Sequence, residues 1–217
     1  MKLHNNTIRG VHQALEAIFV EGQYADKVIE RTLKSNPKWG AKDRSFIAET
    51  TYEMVRWWRL VNFLSPSKDP WDLFGTYWLM QGNELPSWDE FARLQPEKIK
   101  SKYEAITDPG LLESIPEWLQ TLGSQELGEK WEAEIHALNE EAEVVLRVNT
   151  LKTTRERLKN LLEADGIRSY LVKGYPDALV LEERQNVFRH PSFKEGLFEV
   201  QDASSQLVAA ALQVEPG

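Results

Sequence analysis

The apolar residues of this chain change their spacing near residue 144, and that change limits the folds open to it. Before this point they recur every three or four residues, as at Ile8, Val11 and Leu15, which is the spacing of one face of a helix. After it they alternate along residues 144–149, as in a half-buried strand. The sequence therefore predicts a mixed fold, with an all-α N-terminal domain followed by a small α+β domain.

The helical part is expected to consist of several pieces. Residues 8–19 and 28–33 show two apolar faces, and residues 41–64, with Tyr52 among their apolar positions, predict one long third helix. Prolines between residues 66 and 109 divide the next stretch into short helices such as 71–81 and 97–106. There we expect packing rather than base stacking from the tryptophans, which are Trp71, Trp78 and Trp88.

The small domain is predicted to contain one helix and a short sheet. The helix covers residues 154–164, with Leu158, Leu161 and Leu162 turned inward, Thr153 or Thr154 as its N-cap, and Gly166 as its stop. Strands are expected at 144–149, 170–173, 178–181 and 197–200. The expected domains are a helical domain at 1–110, a helical bridge at 111–143, the α+β domain at 144–202 and a further helix at 203–217.

Residues 202–217 predict a helix followed by a stop signal. Asp202 can cap it, and Leu207, Val208, Ala211 and Leu212 repeat at helical spacing before Pro216-Gly217. One interpretation is a C-terminal helix that packs on its own domain. The other is a helix that leads into a further domain, which would begin beyond residue 217.

Composition excludes several classes of function. The sequence has no cysteine, so disulfides and cysteine-ligated zinc are excluded, and its four histidines show no paired metal spacing. It shows neither a signal peptide nor an apolar run of about 20 residues. These features predict a soluble, cytoplasmic protein with no membrane partner. The formal net charge of −8 is concentrated in residues 65–140, so an RNA-binding surface would have to be a local basic patch.

A first candidate RNA surface lies in the helical domain. Basic residues surround the loop at 36–42, and aromatic residues are interleaved with them, as in single-stranded RNA sites. The alternative is that the tryptophans are buried and the basic residues lie on ordinary solvated helices. The candidates are Lys38, Lys42, Arg44, Arg56 and Arg59, with Trp39, Trp57 and Trp58 as possible stacking residues.

A second candidate surface follows the first predicted strand. Arg147 and Asn149 share one face of that strand, and Lys152 and Arg155 lie near the start of the next helix, where phosphate binding is favoured. The alternatives are a solvated amphipathic helix and a buried Arg147 tied to Asp202 or Glu199. The loop at 150–154 has no glycine, so it is not a phosphate-binding loop.

Four short motifs, in this order and spacing, resemble the RsmB/Nop2/Sun family of RNA cytosine-5 methyltransferases. They are IPEWL at 115–119, LRVN at 146–149, YPDAL at 175–179 and FEVQDASSQ at 198–206. Asp43-Arg44 with Tyr52 and Arg56 also resembles, more loosely, the NusB-like leader domain of bacterial members.

The resemblance implies a function for the complete protein rather than for this chain alone. Family members bind S-adenosylmethionine (AdoMet) in a domain that would begin beyond Gly217, and a cysteine thiolate attacks carbon 6 of a cytosine in rRNA to give 5-methylcytosine. We therefore expect no catalytic residue, no cofactor-binding residue and no metal site in this segment. Asp202 is expected to cap the helix; alternatively, Gln201, Asp202 and Ser205 support the AdoMet site from behind. The expected partner is rRNA, not DNA.

Two other functions compete with this one. A free-standing helical module of the antitermination-factor type would bind RNA or protein without chemistry, although it would not explain the motifs of the second half. A scaffold whose acidic middle attracts a basic protein would form a salt-sensitive complex and would not bind RNA.

Overall fold

The computed structural model describes residues 3–212, and its contacts divide the chain into two compact units. The first ends at Asn139 and the second begins at Glu140. Within residues 3–212, no helix is long and apolar enough to cross a membrane. The mixed fold predicted from the sequence is confirmed, because a helical unit precedes a small α+β unit.

The first unit is helical throughout. Prolines occupy the first positions of α5, α6 and α7, where the missing N–H costs nothing. Short 3₁₀ turns at Asp89–Phe91 and Gly128–Lys130 complete it. The helices are α1 (Asn5–Phe19), α2 (Ala25–Ser35), α3 (Ala41–Arg56), α4 (Trp58–Leu64), α5 (Pro70–Met80), α6 (Pro96–Glu104), α7 (Pro109–Leu112), α8 (Glu117–Leu127) and α9 (Trp131–Asn139).

An aromatic core holds the first unit together. Phe74 is fully buried, and its ring stacks on that of Trp78 with centroids 5.9 Å apart. Trp71 and Trp88 both contact Phe91 in the same cluster. The predicted packing role of the three tryptophans is thus confirmed.

The predicted single helix over residues 41–64 is wrong, because the chain bends at Trp57. This residue ends α3 and precedes α4, with φ −94° and ψ 17°. Its indole N–H donates to Glu53, 3.1 Å away, and the ring of Trp58 stacks on Phe19 with centroids 4.0 Å apart. Packing of these two rings accompanies the break. Tyr52, placed among the apolar residues of that helix, is 60% exposed.

The second unit has the order β-α-β-β-α-β followed by a helix. Its antiparallel sheet has the strand order β2-β3-β1-β4. The elements are β1 (Val145–Val148), α10 (Arg155–Ala164), β2 (Ser169–Leu171), β3 (Ala178–Leu181), α11 (Pro191–Lys194), β4 (Phe198–Val200) and α12 (Ala203–Ala211).

The two faces of this sheet have different partners. Leu146 and Val148 form a buried cluster with Leu158 and Leu162 of α10, as their alternation predicted. Leu161 was also predicted to point inward, but it is 40% exposed, since the helix buries only a narrow stripe. On the opposite face, Val145 clusters with residues that include Ala203 of α12. Both faces of β1 are therefore covered for most of its length.

Candidate nucleic-acid interface

Arg44 uses its guanidinium to hold the helical unit together. It is half-buried, and its Nε donates to the carbonyl of Trp39 at 3.0 Å. Its two other nitrogens donate to the carbonyls of Leu33 and Asn36. These acceptors lie at the end of α2 and in the loop that follows, where carbonyls lack helical partners. Arg44 therefore ties α2 to α3 and has little donor capacity left for phosphate.

Arg56 and Arg59 are also engaged within the first unit. Nε of Arg56 donates to the side chain of Asn139 at 3.1 Å, and Nη2 donates to the carbonyl of the same residue. Nη1 of Arg59 donates to the carbonyl of Ile115 at 2.5 Å, and Nη2 lies 3.5 Å from the carboxylate of Asp108. Both arginines join the α3–α4 region to the helices between residues 109 and 139.

Lys38 and Lys42 remain available on the surface. Both are exposed, and within residues 3–212 their ammonium groups have no hydrogen bond or ion pair. Trp39, which lies between them, is only 7% exposed and packs so closely on α1 that a Cβ at Gly10 would come within 2.9 Å of its ring. The loop can thus present charge, but Trp39 cannot present a stacking face to a base.

Arg147 is the exposed basic residue of the sheet. It faces away from the buried cluster, next to Ala178 of β3 and Glu199 of β4. The alternative of a buried Arg147 tied to Asp202 or Glu199 is wrong, because the residue is exposed and forms no ion pair in the described part of the chain. The alternation of the strand placed this side chain correctly on the outer face.

Asn149, Lys152 and Arg155 connect the loop after β1 to neighbouring turns. Nδ2 of Asn149 donates to the carbonyl of Gly196 at 2.9 Å, and Nζ of Lys152 donates to the carbonyl of Glu195 at 2.7 Å. Arg155 donates to the carbonyl of Tyr175 at 3.1 Å. The cap of α10 is Thr154, which accepts from the backbone N–H of Arg157, as predicted. The bonds made by these three side chains are structural.

The centre of the sheet's outer face offers no platform for stacked bases. Its central positions hold Val145, Ala178 and Val180, all buried, and the aromatic neighbour Tyr175 packs against them. Sheets that bind single-stranded RNA expose aromatic residues at such positions. At the edge of this face, Tyr170 of β2 lies opposite Val180 and is 39% exposed, and its hydroxyl donates to Glu143 at 2.5 Å. Any stacking of a base on this face is therefore limited to the edge strand.

Asp202 caps α12, as the sequence predicted. Its carboxylate accepts from the backbone N–H of Ser205 at 3.2 Å, and the side chain of Gln206 donates to the carbonyl of Gln201 at 3.0 Å. Leu207 and Val208 on the same helix are 41% and 61% exposed. The Pro216-Gly217 turn lies outside the described residues. Among residues 3–212, no group of acidic or histidine side chains could hold a metal ion.

We expect Asp202→Ala to destabilise the first turn of α12 by about 1 kcal/mol, the usual value of a side-chain N-cap. Amide hydrogen exchange at Ser205 reports this, and the exchange should accelerate roughly five-fold. Ser204→Ala is the control, because Ser204 is exposed on the same turn and makes no cap bond. Equal exchange in both variants would contradict the capping role.

The order β-α-β-β-α-β defines the class of the second unit, which is ferredoxin-like. Residues 115–188 match the family model described as the ferredoxin-like domain of RsmF/B-like methyltransferases. This match confirms the resemblance to the RsmB/Nop2/Sun family over residues 115–188.

Curated relatives agree with the family model. The chain is 34% identical over 110 residues to ribosomal RNA small subunit methyltransferase B of Pseudomonas syringae pv. tomato, covering 51% of this chain and 25% of that protein. It is 38% identical over 97 residues to the protein of the same name from Proteus mirabilis, covering 45% and 23%. The matched segment thus spans about a quarter of the length of these relatives.

A solved structure shares the fold. The crystal structure of PH0851 matches with a TM-score of 0.61 and 18% identity, and the match covers 100% of this chain and 57% of that one. At this identity the match establishes similarity of fold alone.

Proposed function

We propose that this chain is the RNA-binding N-terminal region of an AdoMet-dependent rRNA cytosine-5 methyltransferase. The observation that carries the proposal is the match of residues 115–188 to the RsmF/B-like ferredoxin-like domain. The relatives named small subunit rRNA methyltransferase B support it, and they are about four times longer than the matched segment. We propose that the protein acts in the cytoplasm and that its RNA partner is rRNA.

The segment itself carries out no methyl transfer in this proposal. A cysteine thiolate is the nucleophile that the mechanism requires, and these 217 residues contain no cysteine. AdoMet would therefore be bound by the rest of the protein. Residues 1–110 would form a NusB-like helical domain, 111–143 a bridge, 144–202 the α+β domain and 203–217 the helix leading onward. The helical content up to Asn139 supports the first of these assignments.

The proposed methyltransferase activity is tested with the full-length protein encoded by the complete gene. Incubation with small subunit rRNA and methyl-labelled AdoMet should transfer label to the RNA, and bisulfite sequencing should locate the product at a cytosine. The 217-residue chain under the same conditions should transfer none. A complete protein that binds AdoMet but labels no cytosine would contradict the proposal.

Among the nine predicted RNA contacts, we propose direct contact by those whose charged groups have no hydrogen bond or ion pair. These are Lys38, Lys42 and Arg147, whose side chains have no partner within residues 3–212. Arg44, Arg56 and Arg59 instead position the helices, and Asn149, Lys152 and Arg155 position the loop after β1. Since the chain is acidic overall, a few free cations carry much of the attraction for RNA.

We expect alanine at Lys38, Lys42 or Arg147 to weaken RNA binding and to make its salt dependence shallower. For single-stranded RNA, the slope of log affinity against log salt should fall by about 0.7 for each phosphate contact removed. Fluorescence anisotropy with a labelled rRNA fragment at several salt concentrations measures this. Lys130→Ala is the control, because this exposed lysine belongs to neither candidate surface. An unchanged slope in all three variants would remove them from the interface.

A further inference from the structure

A cleft of about 440 Å³ opens in the helical unit between the start of α4, the end of α5 and α6. Its floor is apolar, with Leu60 1% and Ile99 7% exposed. This volume lies within the range of small-ligand sites, which combine an apolar lining with a few polar groups. For the part of this lining after residue 65 the sequence had suggested only packing, whereas Trp57 was a possible stacking residue.

Two aromatic side chains line the cleft. Trp57 is half-buried, and its indole N–H is already satisfied by Glu53. Tyr103 on α6 is 44% exposed. Neither ring packs against another aromatic ring within residues 3–212, although the guanidinium of Arg56 lies over the Trp57 ring, 5.9 Å from its centroid. The cleft therefore offers aromatic surface that the aromatic cluster of the fold does not use.

Polar groups lie along the same lining. The turn after α5 brings the amides of Gln81 and Asn83 to the cleft, with Gly82 at φ +73° between them. Two charged residues of α6 also line the cleft: Glu97, and Lys100, which is exposed and has no partner in the described chain. Amide groups can donate to and accept from the edge of a base, and an ammonium group suits a phosphate.

The other side of α6 is also basic. A smaller cleft of about 230 Å³ there is lined by Lys98, Lys102 and Arg93, and by no acidic residue. Lys102 donates to the carbonyl of Phe63, whereas Lys98 has no partner within residues 3–212. Arg93, in contrast, is paired with Asp69 at 3.0 Å. Free positive charge thus lies on both sides of a helix that carries an exposed tyrosine.

We propose that the α6 cleft binds one unstacked base of a single-stranded RNA, with the adjoining phosphates on the lysines of α6. The base packs on Trp57 and Tyr103, and Lys98 and Lys100 contact the backbone. Charge complementarity favours RNA as the occupant, because two unpaired lysines, Lys98 and Lys100, lie beside the cleft and Glu97 is the single acidic residue of its lining. This inference rests on the proposed RNA-binding function and assigns it a site outside the ferredoxin-like domain.

The test measures binding of a fluorescein-labelled 12-nucleotide single-stranded RNA to the 217-residue chain by anisotropy. Tyr103→Ala should weaken binding about 10-fold, since base stacking on an aromatic side chain is commonly worth one to two factors of ten. Tyr103→Phe should retain affinity, because its ring still stacks. Tyr24→Ala is the matched control, as Tyr24 is 83% exposed and lies outside the cleft. Circular dichroism verifies that each variant folds.

A second measurement reports on the site directly. Titration with cytidine monophosphate, followed by NMR, should shift the indole N–H signal of Trp57 in the wild-type chain and not in Tyr103→Ala. If the wild-type chain binds RNA and Tyr103→Ala binds it equally well, the cleft is not the site, while the proposed function stands. If the wild-type chain binds neither probe, both the RNA-binding function and this site are overturned.

Discussion

We expect Arg44→Met to lower the free energy of unfolding of the helical unit by about 3 kcal/mol. The guanidinium donates to the carbonyls of Leu33, Asn36 and Trp39, and a hydrogen bond to a charged group contributes about 1.5–3 kcal/mol. The loss is smaller than three such bonds, because Arg44 is half-buried and water can reach part of the freed backbone. Met keeps the aliphatic stem and removes the donors.

Urea unfolding followed by tryptophan fluorescence measures this loss selectively. All eight tryptophans lie between residues 39 and 131, so the signal reports on the first unit. Lys42→Met is the matched control, since Lys42 lies on the same helix without a partner in the described chain, and it should change stability by less than about 0.5 kcal/mol. A stable Arg44→Met variant that has lost RNA affinity would show that Arg44 is a contact residue instead.

His12 gives the second large effect, because burial lowers its pKa from 6.5 to about 4. Nearby Asp69 and the backbone of Pro70 act in the opposite direction but do not overcome the burial. The ring lies edge-on to Trp71 with centroids 4.8 Å apart, and its Nε2 is buried without a hydrogen-bond partner within residues 3–212. The folded state therefore strongly prefers the neutral imidazole.

The pH dependence follows from the direction of this shift. Below pH 6.5 the unfolded chain takes up a proton on His12, whereas the folded chain takes it up only near pH 4. Stability is thus fully present above pH 6.5, falls as the pH decreases, and levels off below about pH 4. The shift corresponds to a loss of about 3 kcal/mol across this window.

His12→Phe should remove this part of the pH dependence. Phenylalanine can pack against Trp71 and Phe74 and does not titrate. Urea unfolding at pH 7.5, 6.5, 5.5, 4.5 and 4.0, again followed by tryptophan fluorescence, compares the two proteins. Carboxylates titrate in both, so the difference between their stabilities isolates His12. Parallel curves over the whole range would contradict the assignment.

Sequence patterns predicted the elements whose causes are local. The bounds of β3 (Ala178–Leu181) agree with the sequence prediction, and the cap residues Thr154 and Asp202 were found from the residues around them. Gly166 has a φ of +79°, the conformation expected of a helix stop. Strand alternation also placed Arg147 on the outer face. Each of these features depends on residues within one or two turns.

Only the tertiary structure decided which of the basic residues are free. Arg56 finds its partner Asn139 83 residues along the chain, and Arg59 finds Ile115 56 residues along. The break at Trp57 and the cleft between α5 and α6 likewise depend on distant contacts. By itself, the sequence determined the fold class, the helix caps and the family resemblance, because spacing and short motifs encode them. The partner of each basic side chain could be identified only in the folded chain, because the sequence around an arginine does not show whether its guanidinium donates to a distant carbonyl or is solvated.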